Sequence, residues 1–101
     1  MFTGLKAFWI KSPVPHAPMG FGVTARSLAD AITIIRVLGY GSYLPDDARR
    51  LEVRADVTFA DLEPRHVVPN MGPMVVRGMW YPFAALGVPP WAEERIADFD
   101  A

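Results

Sequence analysis

Ser27-Leu28-Ala29-Asp30-Ala31-Ile32-Thr33-Ile34-Ile35-Arg36-Val37-Leu38-Gly39 is the stretch on which the fold turns. The Ser27 hydroxyl is placed to accept a hydrogen bond from a first-turn backbone N–H. Asp30, three residues on, adds negative charge at the positive end of the helix dipole. Asp is shorter than the Glu usual at that position, which leaves the reciprocal capping bond open. Leu28, Ala31, Ile32, Ile35 and Leu38 recur at helical spacing as one apolar stripe. Gly39 stands where a C′ residue ends a helix. A helix over Leu28–Leu38 is predicted.

Upstream, Leu5–Lys11 is a short aromatic-rich run stopped by Ser12-Pro13. Apolar residues fall on both of its faces, so a mid-sheet strand covered on each side is expected. Pro13-Val14-Pro15-His16-Ala17-Pro18 lacks ladder donors at its prolines and is expected to run as an ordered, extended surface loop. Phe21–Ala25 reads as a second strand.

Downstream, Gly41–Asp47 is turn material. Leu51–Asp56 alternates, apolar at odd positions and charged at even ones, which describes a half-buried strand. Thr58 and Asp61 repeat the capping pattern, but Pro64 limits it to one helical turn. A second proline-punctuated loop, Pro64–Pro73, carries Arg65, His66 and Asn70. Met74–Tyr81 is the last predicted strand, closed by Pro82, with Gly78 marking a bulge or close backbone approach. Pro89–Ala97 is expected to form a short terminal helix, with Asp98–Ala101 fraying. The helix between the second and third strands reads as a right-handed crossover that sets those strands parallel. The expected fold is α+β, a single globular domain over residues 1–101. It has a small four-stranded mixed sheet, the main helix on one face, and a short C-terminal helix.

Composition fits that size. The chain has 101 residues, 51% hydrophobic and 21% charged, which argues for a folded core over disorder. It has no cysteine, so disulfide frameworks, thiolate metal sites and cysteine nucleophiles are excluded. A formal net charge of −1 gives no footprint for nucleic acid, which is not an expected partner. Charge is uneven, however. Residues 1–44 set Lys6, Lys11, Arg26 and Arg36 against Asp30, whereas residues 45–101 carry more carboxylates than arginines. No membrane-spanning run and no secretory leader are legible, so a cytoplasmic location is expected.

Few residues carry chemistry in a recognisable pattern. His16 and His66 lie in separate proline loops, and with Asp46, Asp47 or Asp61 they lack the paired spacing that fixes metal ligands on one face. No metal site and no cofactor is expected. Ser12, Ser27 and Ser42 include no nucleophile elbow, and the Gly20/Gly22 and Gly39/Gly41 pairs complete no phosphate-binding signature. Arg65, Arg77, Trp80, Tyr81 and Phe83 form the most distinctive cluster. Arg77 sits among apolar residues and needs a paired charge or water, and guanidinium beside Trp and Tyr is the composition of interface hot spots. Core packing of Trp80 and Phe83, with Arg77 on a wet face, is the competing expectation. Ten prolines stiffen the loops, which lowers the ordering entropy left to lose on binding.

His16-Ala17-Pro18-Met19-Gly20-Phe21-Gly22-Val23-Thr24-Ala25 precedes the Ser27 helix, followed by His66-Val67-Val68-Pro69-Asn70-Met71-Gly72-Pro73 and Arg77-Gly78-Met79-Trp80-Tyr81-Pro82. This ordering resembles small bacterial orphan and immunity-type proteins that accompany polymorphic or contact-dependent toxins. The resemblance implies a cytosolic, non-catalytic protein that binds a cognate toxin domain and blocks its active site. The near-neutral charge departs from the strongly acidic inhibitors of basic nucleases, which leaves the toxin's chemistry open.

The leading expectation is therefore a protein-binding module and not an enzyme. Trp80, Tyr81 and Trp91 would be its anchors, Arg77 would lie beside them, and Asp46, Asp47, Glu93 and Glu94 would steer a basic partner. An alternative is a small enzyme or ligand-binding domain in which both proline loops converge, using His16, Arg65, His66 and Asn70. A third is a self-associating subunit, a homodimer through the C-terminal aromatic segment.

Overall fold

The computed structural model describes residues 4–83 and 86–100. Its centre is β1 (Lys6–Lys11), which pairs antiparallel with β2 (Phe21–Ala25) on one side and with β3 (Glu52–Ala55) on the other. Strand β4 (Gly78–Tyr81) adds to β2, also antiparallel, so the sheet order is β3-β1-β2-β4. The α+β class and the four strands are as expected. The sheet is not mixed, because every hydrogen-bonded pair is antiparallel. The crossover reading is half right: β2 and β3 run the same way, each being antiparallel to β1, but β1 lies between them.

Helix α1 (Leu28–Ile35) starts as the capping chemistry dictates, with the Asp30 N–H donating to Ser27 Oγ at 3.1 Å. The carboxylate of Asp30 reaches one residue further back than a capping box, accepting from the Arg26 N–H at 3.0 Å. Past Ile35 the coil widens into a π turn over Arg36–Tyr40 and tightens into a 3-10 turn over Gly41–Tyr43. Gly39 takes the left-handed φ of 99° that its C′ placement implies. The buried face is Ala31, Ile34 and Ile35 with Val37, whereas Leu28 is exposed, so the stripe is rotated from the expected one.

Phe8, Ile10, Phe21 and Val23 pack on that helix face, joined by Ala92 and Ile96 of α2 (Pro90–Asp100). Helix α2 persists to Asp100 and so does not fray at Asp98; Ala101 lies outside the described residues. The opposite sheet face carries a second core, in which Trp80 is covered by Val57, Leu62 and Val67, with Trp9, Met71 and Met74 partly buried beside it. This is why β1 is apolar on both sides. The proline loop after Glu63 thus covers this face through Val67, with Pro64, Arg65, His66, Pro69 and Asn70 exposed on its outer side.

Strand β4 is shorter than the predicted Met74–Tyr81. The register shifts between Gly22 and Val23, leaving Trp80 as the extra residue of a bulge between Met79 and Tyr81. That extra residue lets Trp80 and Tyr81, although consecutive, both join the second core. Trp80 is 1% exposed, and its indole N–H donates to Thr24 Oγ1 at 3.1 Å. A Cβ on Gly22 would fall on the Trp80 ring, so only glycine lets the indole lie flat on β2. A cis Tyr81–Pro82 bond follows the strand. Among the described residues no helix is long and apolar enough to cross a membrane.

Candidate functional site

Residues 74–77 leave the sheet, and two contacts explain their course. The Met74 carbonyl accepts the Thr24 hydroxyl, and the Arg77 side chain turns toward α1. Its Nε and Nη2 donate to the two carboxylate oxygens of Asp30 at 3.0 and 2.6 Å, while Nη1 donates to Glu93 Oε1 of α2 at 2.7 Å. Arg77 and Asp30 are only 14% and 13% exposed along their side chains, so the fork is held largely away from water. Burial pushes the Asp30 carboxyl up, but the Arg77 hydrogen bonds, the Arg26 N–H and both guanidinium charges outweigh it and hold it below the usual carboxylate range. The Asp30 hydrogen bonds, opposed by burial, raise Arg77 in turn. One guanidinium therefore ties together the start of α1, the 74–77 segment and α2.

The segment before α2 closes on the same place. Gly78 lies against the Gly87 backbone so tightly that a Cβ there would collide with it, and Val76 packs beside Gly87. Around this junction Val75 is 83% exposed, Leu86 64% and Trp91 52%. The Arg95 guanidinium lies 5.9 Å from the Trp91 ring centre. An open depression of about 310 Å³, lined by Leu5, Ala7, Thr24, Met74 and Val75, adjoins the segment.

The sequence-derived candidates divide accordingly. Arg77 and Glu93 come together here, whereas Trp91 lies on the other flank of α2, against Arg95, and Glu94 is exposed on the same helix. Trp80 is overturned as an anchor, because its face of the sheet is covered by Val57, Leu62 and Val67. Tyr81 is half-buried, its ring 5.6 Å from that of Trp9. Asp46 and Asp47 lie before the 3-10 turn Ala48–Arg50. There Asp47 accepts from the Arg49 backbone and guanidinium, and the guanidinium contact is the first cause of its lowered carboxyl pKa. Val75, Val76 and Leu86 were missed; the valines sit beside Arg77 in a run that reads as strand, and only the Gly78–Gly87 contact shows the segment turned outward.

His16 is exposed in the β1–β2 loop, with a left-handed φ of 66°. His66 is engaged locally: its Nδ1 lies 3.0 Å from Glu63 Oε2, and its carbonyl accepts the Asn70 amide at 2.7 Å. The Arg65 N–H donates to Glu63 Oε1, and this is the first cause holding the Glu63 carboxyl below its usual range. No described contact joins His16 to Arg65, His66 or Asn70. The depression of Leu5, Ala7, Thr24, Met74 and Val75 includes none of these four, nor does that lined by Arg26, Ser27, Ala29, Asp30 and Thr33. Among the described residues no three His, Asp or Glu side chains gather to hold a metal ion. Comparison with protein-family models, curated proteins and solved structures gives no match, so the site is read from its own geometry.

Proposed function

We propose that this chain is a protein-binding module whose contact surface is built from residues 74–78 and 86–91. The observation that carries the reading is the exposure of Val75, Leu86 and Trp91 on segments that the Arg77 guanidinium, fixed by two carboxylates, ties to the helices. Large apolar side chains held out on a pre-ordered frame lose little entropy on docking, and Trp and Arg, here Trp91 with Arg95 over its ring, are enriched in hot spots. The particular form, following the immunity-type resemblance, is a cytosolic inhibitor that covers the active site of a toxin domain. Asp46 and Glu94, which form no ion pair among the described residues, supply the steering charge toward a basic partner.

The test is calorimetric titration with a toxin domain, taken from a toxin gene found beside the one that encodes this chain. One-to-one binding that Trp91→Ala and Leu86→Ala each weaken about tenfold or more supports the proposal. Binding indifferent to both changes overturns the surface. No binding, together with no rescue of growth on co-expression, overturns the function.

A further inference from the structure

The two edges of the sheet are finished differently. At β4, the Gly72 N–H donates to the Trp80 carbonyl at 2.8 Å, and Gly87 lies against Gly78. At β3, among the described residues, no backbone hydrogen bond reaches Glu52–Ala55 from the side away from β1. Glu52, Arg54 and Ala55 are exposed, and Val53 is half-buried. An unpaired strand edge is a template for another strand, and its side chains decide which one.

Charge decides it here. Glu52 and Arg54 share the sheet face that carries Trp9, with Glu52 opposite Lys11 and Arg54 opposite Trp9 of β1. If a second β3 pairs antiparallel about a two-fold axis at Val53, Glu52 of each copy faces Arg54 of the other. Val53 meets Val53 on the helix face, and Leu51 meets Ala55. Each copy then presents the same patch to itself, as an isologous contact requires. The row across the join reads Lys11, Glu52, Arg54, Trp9, alternating in sign wherever it is charged. Phe59 lies just beyond, 61% exposed, in a turn that Asp61 holds by accepting from Thr58 and that leans toward Arg54 at 3.8 Å. It adds apolar surface beside the edge.

We propose that β3 is a self-pairing edge through which two copies of this chain form an eight-stranded antiparallel sheet. The surface is separate from the 74–91 contact region and does not rest on it. It also differs from the C-terminal aromatic segment that the sequence suggested for self-association. Four residues a side make a small interface, so the dimer is weak and concentration-dependent.

Sedimentation equilibrium of the full chain, its Glu52→Arg and Arg54→Glu variants, and their equimolar mixture tests this. Each single variant sets like charges opposite each other twice and loses about tenfold or more in self-association. Mixing the two variants restores a dimer at the wild-type level, because an arginine pair on one strand then faces a glutamate pair on the other. The doubly exchanged chain, E52R with R54E, dimerises alone and serves should either single variant fail to fold. A wild-type chain monomeric at its highest soluble concentration overturns the proposal. So does a dimer indifferent to both single changes, or a mixture that stays monomeric.

Discussion

Arg77 and Asp30 stand 47 residues apart in sequence and meet in two parallel N–H to carboxylate bonds of 3.0 and 2.6 Å. Asp30 also receives the Arg26 N–H, so one carboxylate both organises the helix start and anchors a distant segment. Removing either partner leaves the other charge poorly solvated. The Glu93 end faces water, so the loss falls below that of a fully enclosed pair. Arg77→Ala is expected to cost roughly 2 kcal/mol of unfolding free energy by urea denaturation. A double-mutant cycle with Asp30→Ala is expected to return about 1–2 kcal/mol of coupling.

The same pair fixes a pH dependence. The folded chain holds the Asp30 carboxyl below its ordinary value of 3.8, so its contribution is complete above that value and is lost as pH falls through the folded-state pKa. Asp47, Asp61 and Glu63 are shifted the same way and add to the acid limb. The stability gap between wild type and Arg77→Ala should therefore be constant near neutrality and narrow in acid. A gap that widens as pH falls would contradict the assignment.

At the second core, the Trp80 ring lies on Gly22 with its N–H bound to Thr24. Gly22→Ala drives a methyl into the ring and is expected to cost about 1–3 kcal/mol. Trp80→Phe, which removes the hydrogen bond and part of the ring, is expected to cost about 2–3 kcal/mol, read as a shift in the denaturant midpoint at constant slope.

Ser27→Ala removes the cap acceptor of α1 and is expected to cost about 1 kcal/mol, Ser27→Gly only a few tenths. Trp91→Ala should leave stability within about 0.5 kcal/mol of wild type, since the ring is exposed. Thermal melts of these variants check both statements.

Local chemistry was legible because it is local. The cap at Ser27, the strand Phe21–Ala25 and the one-turn helix after Thr58 depend on residues within four positions of each other. The two-sided apolar pattern of β1 correctly required cover on both faces. What covers the second face was hidden, because Val67, Met71 and Met74 sit among prolines that break every periodic signal. Pairing order was hidden too, since β1 is free to take β3 on its open side and nothing in β3 names its neighbour. At the site, Arg77 announced that it needed a counter-charge, but not which one. Trp80 misled because the layer of Val57, Leu62 and Val67 that buries it is distant in sequence, and the bulge residue carries Tyr81 to the same face against strand alternation.

Amide hydrogen exchange with and without the toxin domain of that titration tests the contact surface most directly. The account predicts added protection in residues 74–78 and 86–91, with none at His16 or at Arg65–Asn70. Protection confined to those two proline loops, with Val75, Leu86 and Trp91 unaffected, would contradict it.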